Sequence, residues 1–287
     1  MNQVKLFIDL TRLKKPIGYM LLFWPCAWGL TLAYDFQEKL NYYFFYLTLL
    51  FLGSVLMRSA GCIVNDILDR EFDAKVFRTK DRPIASGKVS VKLGIFYSIF
   101  LCLLALLVLL NFNLFTILLA LGSMPLAFSY PLMKRYTYWP QLFLGITFNY
   151  GLILGWTIIK AQIDPIILIF YTGAIFWTLA YDTIYGFQDI KDDEIIGLKS
   201  TSIKFKNKPY FFLFLCYSIF LLSLYIVGYL MDLNKIFLIF FFLILIQMYY
   251  FQLKKLQLNN PNSCLSVFKS NNILGALVFL GLVLGKI

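Results

Sequence analysis

Two short windows of the sequence concentrate acidic side chains that could bind a metal ion. The first runs from Asp66 to Asp81 and the second from Asp182 to Glu194, and together they hold most of the 15 Asp and Glu residues. Carboxylates that converge on one place repel one another unless a cation neutralises them. Aspartate oxygens and the side-chain amide of Asn65 are hard ligands, and Mg²⁺ typically binds through a few carboxylates, water and substrate phosphate oxygens. The windows therefore predict a site for Mg²⁺ and a phosphate ester.

Basic residues lie beside both windows. Arginine can grip the outer oxygens of a diphosphate as a bidentate fork, and lysine binds them as a point charge. For any single one of these residues, contact with a lipid headgroup is an equal alternative. The sequence contains neither a GxxxxGK[ST] run nor a GxGxxG run, which excludes the common nucleotide-binding loops. The residues that could bind a diphosphate are Arg78, Lys80, Arg82, Lys134, Arg135 and Lys199.

The rest of the chain has the composition of a membrane protein. Of the 287 residues, 60% are hydrophobic, whereas soluble domains have roughly 45 to 50%. Apolar runs of about 20 residues, the length of a transmembrane helix, recur between the charged segments. We expect an all-α fold with nine transmembrane helices, in one domain over residues 1–287. The predicted spans are 16–35, 42–64, 91–111, 114–132, 141–160, 164–186, 209–231, 233–253 and 270–287.

The basic residues predict how the chain is oriented. Most of the 26 Lys and Arg residues lie in the N-terminal segment and in the connections after predicted helices two, four, six and eight. Because positive charge accumulates on the cytoplasmic side, these segments and the N-terminus are expected there. The net charge of +11 reflects these membrane-flanking loops and not a nucleic-acid-binding face. Neither a signal nor a transit peptide is evident before the first span, which favours a bacterial inner membrane over a mitochondrial one.

The two windows occupy equivalent places, after the second and the sixth predicted span. This placement predicts two related four-helix units around a central cavity, with the first half near 1–135 and the second near 136–287, and a ninth helix appended. Polar residues recur in both windows with a step of seven and then four, which places them on one helix face if each helix continues past the membrane surface. The two sets are Arg58, Asn65, Asp69 and Asp73, and Asp182, Asp189 and Asp193.

Two ionisable residues lie inside predicted spans. Arg58 and Asp182 each carry an insertion cost of about 2.5 to 3.5 kcal/mol at a helix centre, less near its ends, and such residues usually mark function. A single acidic cluster could be a solvated helix end, but two clusters in matching positions favour a shared site. The chain contains no histidine, which excludes histidine metal ligands and general bases.

Several segments together resemble the UbiA superfamily of intramembrane aromatic prenyltransferases. They are most similar to the subfamily that acts on 4-hydroxybenzoate in ubiquinone biosynthesis. The matching segments extend from Arg12 to Thr201. They read "RLKKPIGYMLLFWP", "GCIVNDILDREFDAK", "RTKDRPIASG", "YPLMKRYTYWPQ" and "YDTIYGFQDIKDDEIIGLKST".

The resemblance assigns roles to particular residues. The family patterns NDxxDxxxD and DxxxD bind Mg²⁺ and an isoprenoid diphosphate, and a YxxxK element follows the first of them. Arg135 occupies the position linked to the aromatic acid, and Arg58 and Asp182 match deeper polar positions near the reacting centre. The patterns are matched by Asn65, Asp66, Asp69 and Asp73, by Asp189 and Asp193, and by Tyr130 and Lys134.

The resemblance also implies the reaction. A polyprenyl group would pass from polyprenyl diphosphate to the ring carbon of 4-hydroxybenzoate ortho to its hydroxyl, with release of diphosphate. Asp182 is expected to assist the phenol or take the ring proton, and Arg58 or Arg135 to pair with the benzoate carboxylate. Tyr130 and Tyr185 are the aromatic residues expected beside the allylic cation. Association with other enzymes of quinone biosynthesis is a further expectation.

The sequence departs from the family pattern at two positions, and two other functions are also compatible with it. Lys14 stands where many members have Asp, and it lies in the N-terminal segment away from the windows, so no effect on the reaction is expected. Gly186 replaces a usual Ala and predicts a slightly different pocket shape.

The acceptor of the prenyl group could instead be homogentisate, another quinone precursor, a chlorophyllide or haem. An ion-coupled transporter is the alternative from another class, although it predicts acidic residues in the middle of several spans.

Overall fold

Only helices and their connections occur over residues 3–287, the part of the chain that this computed structural model describes. This confirms the predicted all-α fold class. The helices are α1 Gln3–Thr11, α2 Ile17–Ala33, α3 Leu40–Asp73, α4 Val91–Leu109, α5 Leu114–Ser129, α6 Met133–Tyr136, α7 Pro140–Lys160, α8 Pro165–Gly186, α9 Ile190–Ile195, α10 Thr201–Lys204, α11 Pro209–Leu230, α12 Lys235–Ile246 and α13 Pro261–Lys286. A 3₁₀ turn, Tyr130–Leu132, joins α5 to α6, and α12 continues as a π-helix, Gln247–Lys254.

Eight of the helical segments within residues 3–287 are long and apolar enough to cross a membrane. The chain is therefore a multi-pass membrane protein. The predicted count of nine spans is not confirmed, because α2 has 17 residues and is about 26 Å long at 1.5 Å per residue, slightly less than the roughly 30 Å of a hydrocarbon core.

The two acidic windows are built differently. Helix α3 runs unbroken for 34 residues to Asp73, about 51 Å, so its last turns extend beyond the hydrocarbon core. Helix α8 instead ends at Gly186, where the next backbone hydrogen bonds are of the tighter i to i−3 type. Asp189 and Asp193 consequently lie outside α8, at the start of and within the short α9. The continuous polar face is confirmed for the first window and wrong for the second.

Helix packing follows the same order in both predicted units. In the first, α2 packs on α3 and α3 on α4; in the second, α7 packs on α8 and α8 on α11. The leading helices α2 and α7 are joined by an extensive contact, and α13 packs against α2, α8 and α12. The appended ninth helix is therefore part of the central assembly.

Glycines allow α2 and α7 to approach closely. A Cβ on Gly29 would lie 2.0 Å from the carbonyl oxygen of Leu152, and a Cβ on Gly155 would lie 2.2 Å from that of Cys26. Both distances are too short for any side chain. Small residues at helix contacts are the usual means of tight packing in a membrane, where lipid is as apolar as leucine.

A buried aromatic cluster packs between α2, α8 and α11. The Trp28 and Trp177 rings are 5.1 Å apart, and Phe170 and Phe220 stack around them. The indole of Trp177 donates a 2.8 Å hydrogen bond to Asn271 Oδ1 on α13, and that of Trp28 donates to the carbonyl oxygen of Gly275. Each buried indole nitrogen of this pair thus has an acceptor.

Lys286 joins the ends of the first and last long helices. Its ammonium group donates hydrogen bonds to the carbonyl oxygens of Thr31, Leu32 and Tyr34 at 3.2, 2.8 and 2.5 Å. These carbonyls belong to the C-terminal end of α2, where a cation also interacts favourably with the helix dipole. Because the C-terminal ends of α2 and α13 meet, the two helices run in the same direction across the assembly.

This arrangement predicts that the start of α2 and the end of α13 lie on opposite faces of the membrane. Green fluorescent protein matures on the cytoplasmic side of a bacterial inner membrane, and alkaline phosphatase becomes active on the other side. We expect each reporter to be active at only one terminus, and at opposite termini. Activity of the same reporter at both termini would mean that α2 does not cross the membrane.

Candidate functional site

A cavity of about 950 Å³ lies between α2, α3, α7, α8 and α13, and the connections beside both acidic windows border it. Fourteen of the sixteen residues predicted to form the site line this one cavity, so helices distant in sequence bring them together. They are Arg58, Asn65, Asp66, Asp69, Asp73, Arg78, Arg82, Tyr130, Lys134, Asp182, Tyr185, Asp189, Asp193 and Lys199.

Three aspartates of the first window, Asp66, Asp69 and Asp73, are buried and each is paired with a cation. Asp66 accepts hydrogen bonds from Arg12 at 2.5 Å and from Arg82 at 3.2 Å, and Arg82 also donates to Asp73 at 2.7 Å. Asp66 and Asp73 are only 1% and 7% exposed. Since a buried carboxylate without a partner is very costly, Arg12 and Arg82 are the residues that make this end of α3 stable.

Asp69 has a partner on only one of its two oxygens. Lys134 Nζ lies 2.5 Å from Oδ2, whereas Oδ1 is buried without a hydrogen-bond partner among residues 3–287. Arg135 Nη2 lies 3.9 Å from Oδ1, beyond hydrogen-bonding distance. Asp69 therefore retains a free oxygen that can bind a cation.

The second window is joined to the first through Arg78. Its guanidinium forms an ion pair with both carboxylate oxygens of Asp189, with Nε at 2.8 and 2.9 Å, and donates to the Tyr185 hydroxyl at 3.0 Å. The ring of Tyr185 lies 4.5 Å from that of Phe268 on α13. Tyr185 is thereby fixed between a cation and a phenyl ring and holds Arg78 toward the second window.

The donor set fits a hard divalent cation. The free oxygen of Asp69 needs a positive partner, and burial together with the neighbouring Asp189 carboxylate raises the pKa of Asp193 to about 6. A cation between the windows would give the Asp69 oxygen a partner and would reduce the repulsion between Asp189 and Asp193. No three acidic or cysteine side chains of residues 3–287 converge closely enough to hold an ion by themselves. Mg²⁺ commonly binds one or two carboxylates and takes its remaining ligands from water and phosphate, so it does not require three convergent carboxylates.

The inner end of the cavity holds one cation and one carboxylate that do not pair. Arg58 on α3 and Asp182 on α8 both line it, but no salt bridge within 4.0 Å joins them. Arg58 Nε is buried without a hydrogen-bond partner among residues 3–287, as is the hydroxyl of Tyr181. A side chain at Gly18 would place its Cβ 2.8 Å from Arg58 Nε. The site thus presents unsatisfied groups to a polar ligand.

Two of the predicted residues do not line the cavity. Lys80 is exposed and its ammonium group lies over the Phe77 ring. Arg135 donates a 2.5 Å hydrogen bond to the carbonyl oxygen of Leu68 and lies over the Phe72 ring. In this structure, Arg58 is therefore better placed than Arg135 to meet the carboxylate of an aromatic acid.

The structure adds cavity residues that the motifs did not identify. Arg12 is the most important, because it pairs with Asp66 from 54 positions away. Gln141 from α7, together with Lys269 and Asn272 from α13, also lines the cavity. Only the position of Arg12 at the start of a matching segment could have drawn attention to it.

The two departures from the family pattern also lie at the cavity. Lys14 lines its mouth, so the prediction that it lies away from the windows is wrong in space although it holds along the sequence. Gly186 lies against Ser202: a Cβ there would be 2.4 Å from Ser202 Oγ, which donates to the carbonyl oxygen of Thr183. An alanine at 186 would require this serine to move.

Comparison with known proteins agrees with the geometry. The model of the UbiA prenyltransferase family matches residues 22–279. The chain belongs to this family. It is 42% identical over 283 residues to the mitochondrial 4-hydroxybenzoate polyprenyltransferase of Bos taurus, covering 98% of this chain and 75% of that one. The corresponding proteins of Arabidopsis thaliana and Homo sapiens are also 42% identical, covering 99% and 98% of this chain and 70% and 75% of those proteins.

Solved structures of distant family members share the fold. A UbiA homolog from Aeropyrum pernix K1 superposes with a TM-score of 0.79 at 20% identity, covering 94% of this chain and 99% of that one. A UbiA homolog from Archaeoglobus fulgidus bound to GPP and Mg²⁺ gives a TM-score of 0.71 at 20% identity, covering 97% of this chain and 99% of that one.

The contact between Arg12 and Asp66 predicts energetic coupling between the N-terminal segment and α3. Arg12→Gln is expected to lower the unfolding temperature in detergent, because Asp66 keeps only Arg82. In an Asp66→Asn background the same change should cost much less, with a coupling energy of about 0.5 to 3 kcal/mol.

Lys5→Gln is the matched control for this cycle. Lys5 lies on α1, is exposed and forms no salt bridge with any of residues 3–287, so its removal should leave the unfolding temperature unchanged. Additive effects of Arg12→Gln and Asp66→Asn would show that the pair does not stabilise the site.

Proposed function

We propose that the protein transfers a polyprenyl group from polyprenyl diphosphate to the ring carbon of 4-hydroxybenzoate ortho to its hydroxyl, in a Mg²⁺-dependent reaction of ubiquinone biosynthesis. The observation that carries the proposal is the single cavity onto which both acidic windows, the surrounding cations and the inner Arg58 and Asp182 converge. The names of the 42% identical relatives support the acceptor and the donor class. The homolog bound to GPP and Mg²⁺ supports the metal.

The outer end of the cavity is suited to the diphosphate. Arg78, Arg82 and Lys134 each hold a window carboxylate and point their charge into the same space. The metal ligands we assign are Asp66, Asp69, Asp73, Asp189 and Asp193. When bound, Mg²⁺ supplies Lewis-acid stabilisation of the negative charge that develops on the departing diphosphate. The chain's own cations add electrostatic stabilisation in a site that is prearranged for it.

The inner end of the cavity is suited to the aromatic acid. The Arg58 guanidinium pairs with the benzoate carboxylate, which satisfies its buried Nε. The bond between C1 of the prenyl chain and the diphosphate oxygen breaks with its electron pair leaving on oxygen. The ring carbon ortho to the phenol hydroxyl then forms the new C–C bond. Asp182 takes the ring proton or polarises the phenol, and loss of that proton restores aromaticity.

Aromatic and aliphatic side chains separate the two ends. Tyr130 and Phe148 meet edge to face with ring centroids 6.5 Å apart, and Arg58 lies over the Phe148 ring. We assign Tyr130 to the position beside the allylic cation. Tyr185 is less suited to that role because Arg78 and Phe268 already contact its ring. Leu21 of α2 and Leu265 of α13 also line the cavity, and we assign this apolar side of it to the polyprenyl tail.

The proposal includes the cellular setting. The distribution of basic residues supports a cytoplasmic N-terminus and cytoplasmic acidic windows, and we assign the protein to a bacterial inner membrane. The 42% identical relatives are mitochondrial. The reporter fusions at the two chain termini, described above, test this orientation.

The proposed division into two Asp-rich halves is supported by the order in which the helices pack, which is the same in both halves. We also propose association with other enzymes of quinone biosynthesis, because they would share a lipid-soluble product.

The first functional prediction concerns the two windows. Asp69→Asn and Asp189→Asn should each lower Mg²⁺-dependent prenylation of 4-hydroxybenzoate by about 10² to 10³-fold, because each removes a carboxylate that would hold the Mg²⁺ against the departing diphosphate. The measurement is product formation by purified membranes supplied with polyprenyl diphosphate, with and without Mg²⁺.

Asp192→Asn is the matched control for the second window. Asp192 precedes Asp193 on α9 but does not line the cavity, so the variant should keep wild-type activity. Product from another aromatic acceptor but not from 4-hydroxybenzoate would move the assignment to a related prenyltransferase. Failure of folded wild-type protein to prenylate any acceptor would refute the enzyme proposal.

A second functional prediction concerns acceptor recognition. Arg58→Met should raise the KM for 4-hydroxybenzoate roughly 10- to 150-fold. This is the loss of affinity that corresponds to the free energy of one hydrogen bond to a charged group. The KM for the polyprenyl diphosphate should change little. Discrimination between 4-hydroxybenzoate and phenol, which lacks the carboxylate, should largely disappear.

Arg70→Met provides the control on the same helix. Arg70 is half exposed and does not line the cavity, so this variant should keep the wild-type preference for 4-hydroxybenzoate. If Arg58→Met retains that preference, the carboxylate is recognised elsewhere and Arg135 becomes the residue to test.

A further inference from the structure

A second, smaller cavity lies beside the large one, between α1 and the connection that leads into α4. Its volume is about 370 Å³. Five cations and two carboxylates line it together with Leu6, Ile8 and Pro83. The charged residues are Lys5, Asp9, Arg12, Lys14, Lys15, Asp81 and Lys88.

The positive charge of this cavity is not neutralised within the protein. None of its four lysines forms a salt bridge within 4.0 Å with any of residues 3–287. Its only ion-paired cation is Arg12, whose partner Asp66 belongs to the large cavity. Like charges that share a concave site repel one another, and an anion relieves that repulsion.

The cavity lies where the chain leaves the membrane. Helix α1 buries Leu6 and Leu10 against apolar residues of α3 and α4. Lys88 stands three residues before Val91, the first residue of the transmembrane helix α4. The apolar floor of Leu6, Ile8 and Pro83 and the rim of lysines match the two parts of an amphiphile at a membrane surface.

We propose that this cavity binds the phosphate headgroup of an anionic phospholipid. Lys5 and Lys88 contact the phosphate from opposite sides, α1 and the loop before α4, while the glycerol and upper acyl carbons contact the apolar floor. The site adjoins the prenyl-transfer cavity, because half of its lining is shared with it. Lys5 and Lys88 are the cations that line only the smaller cavity. The residues that line both are Asp9, Arg12, Lys14, Lys15 and Pro83, so a bound lipid lies beside the mouth of the larger cavity.

Native mass spectrometry of the full chain in detergent tests this proposal with phosphatidylglycerol and phosphatidylcholine as probes. The wild type should bind phosphatidylglycerol more tightly than phosphatidylcholine. Lys5→Gln with Lys88→Gln should weaken phosphatidylglycerol binding about 10- to 30-fold, and each single change about fivefold. Raising the salt concentration should weaken wild-type binding as well.

Lys191→Gln with Lys208→Gln is the control of equal charge. Both lysines are exposed and line neither cavity, so this variant should bind as the wild type does. Equal loss in the two double variants, or no loss in either, would overturn the proposal. If the double variant at 5 and 88 does not fold, the two single variants decide the result.

Soluble phosphate distinguishes a lipid site from a general anion site. Glycerol 3-phosphate at the concentration of the lipid should leave phosphatidylglycerol bound, because it lacks the acyl carbons that contact Leu6 and Ile8. Displacement at equal concentration would mean that the cavity binds a free phosphate ester and not a lipid. Prenyl transfer measured in the same preparations without anionic lipid should be unchanged by the substitutions at 5 and 88, so the outcome is independent of the proposed enzyme function.

Discussion

The structure depends on neutralising carboxylates at the end of a transmembrane helix. Asp66, Asp69 and Asp73 are almost completely buried, and an isolated charge in such a place would be strongly unfavourable. Their partners come from the N-terminal segment, the loop after α3 and the short helix α6. Those three segments are therefore fixed around the cavity by the same ion pairs that allow α3 to carry aspartates.

These ion pairs also explain how one set of residues can be both stable and reactive. Removing one partner of a buried ion pair is costly because it leaves the other charge uncompensated. Exchanging that partner for another group of the same sign leaves no such uncompensated charge. In the proposed function, a diphosphate that binds Arg78, Arg82 and Lys134 would compete with the carboxylates for those cations. The carboxylates thereby released are oxygen ligands of the type that Mg²⁺ prefers. Binding of the anion and of the cation are thus expected to favour each other.

The sequence was informative where structure follows from local pattern. Apolar runs located the long helices, and the spacing of Asn65, Asp69 and Asp73 correctly placed them along one continuing helix. The same argument failed after Asp182, because α8 ends at Gly186 and the chain turns before Asp189. A helix end at a glycine depends on the packing that follows, which residue spacing does not contain.

Partners distant in the sequence could not be predicted in this way. Arg12 meets Asp66 and Arg78 meets Asp189 across 54 and 111 positions, so proximity in the chain was a poor guide. Proximity to the windows suggested Arg78, which lines the cavity. It also suggested Lys80 and Arg135, whose side chains lie over Phe77 and Phe72 instead. Arginine and lysine stems pack readily on aromatic rings, and only the folded structure shows which cations take that alternative.

Arg58 and Asp182, at the inner end of the cavity, differ from the ion pairs beside the acidic windows, and the difference matches the two roles proposed for the cavity. Near the windows Arg12, Arg78, Arg82 and Lys134 are each bound to a carboxylate. Arg58 and Asp182, in contrast, share the cavity without a direct contact. A direct ion pair would have satisfied both groups and left them unreactive. Gly18 contributes to the separation, since a side chain there would displace Arg58 Nε. The cavity consequently has a charge-compensated end that a metal and a diphosphate can rearrange, and an uncompensated end that a polar aromatic ligand can satisfy.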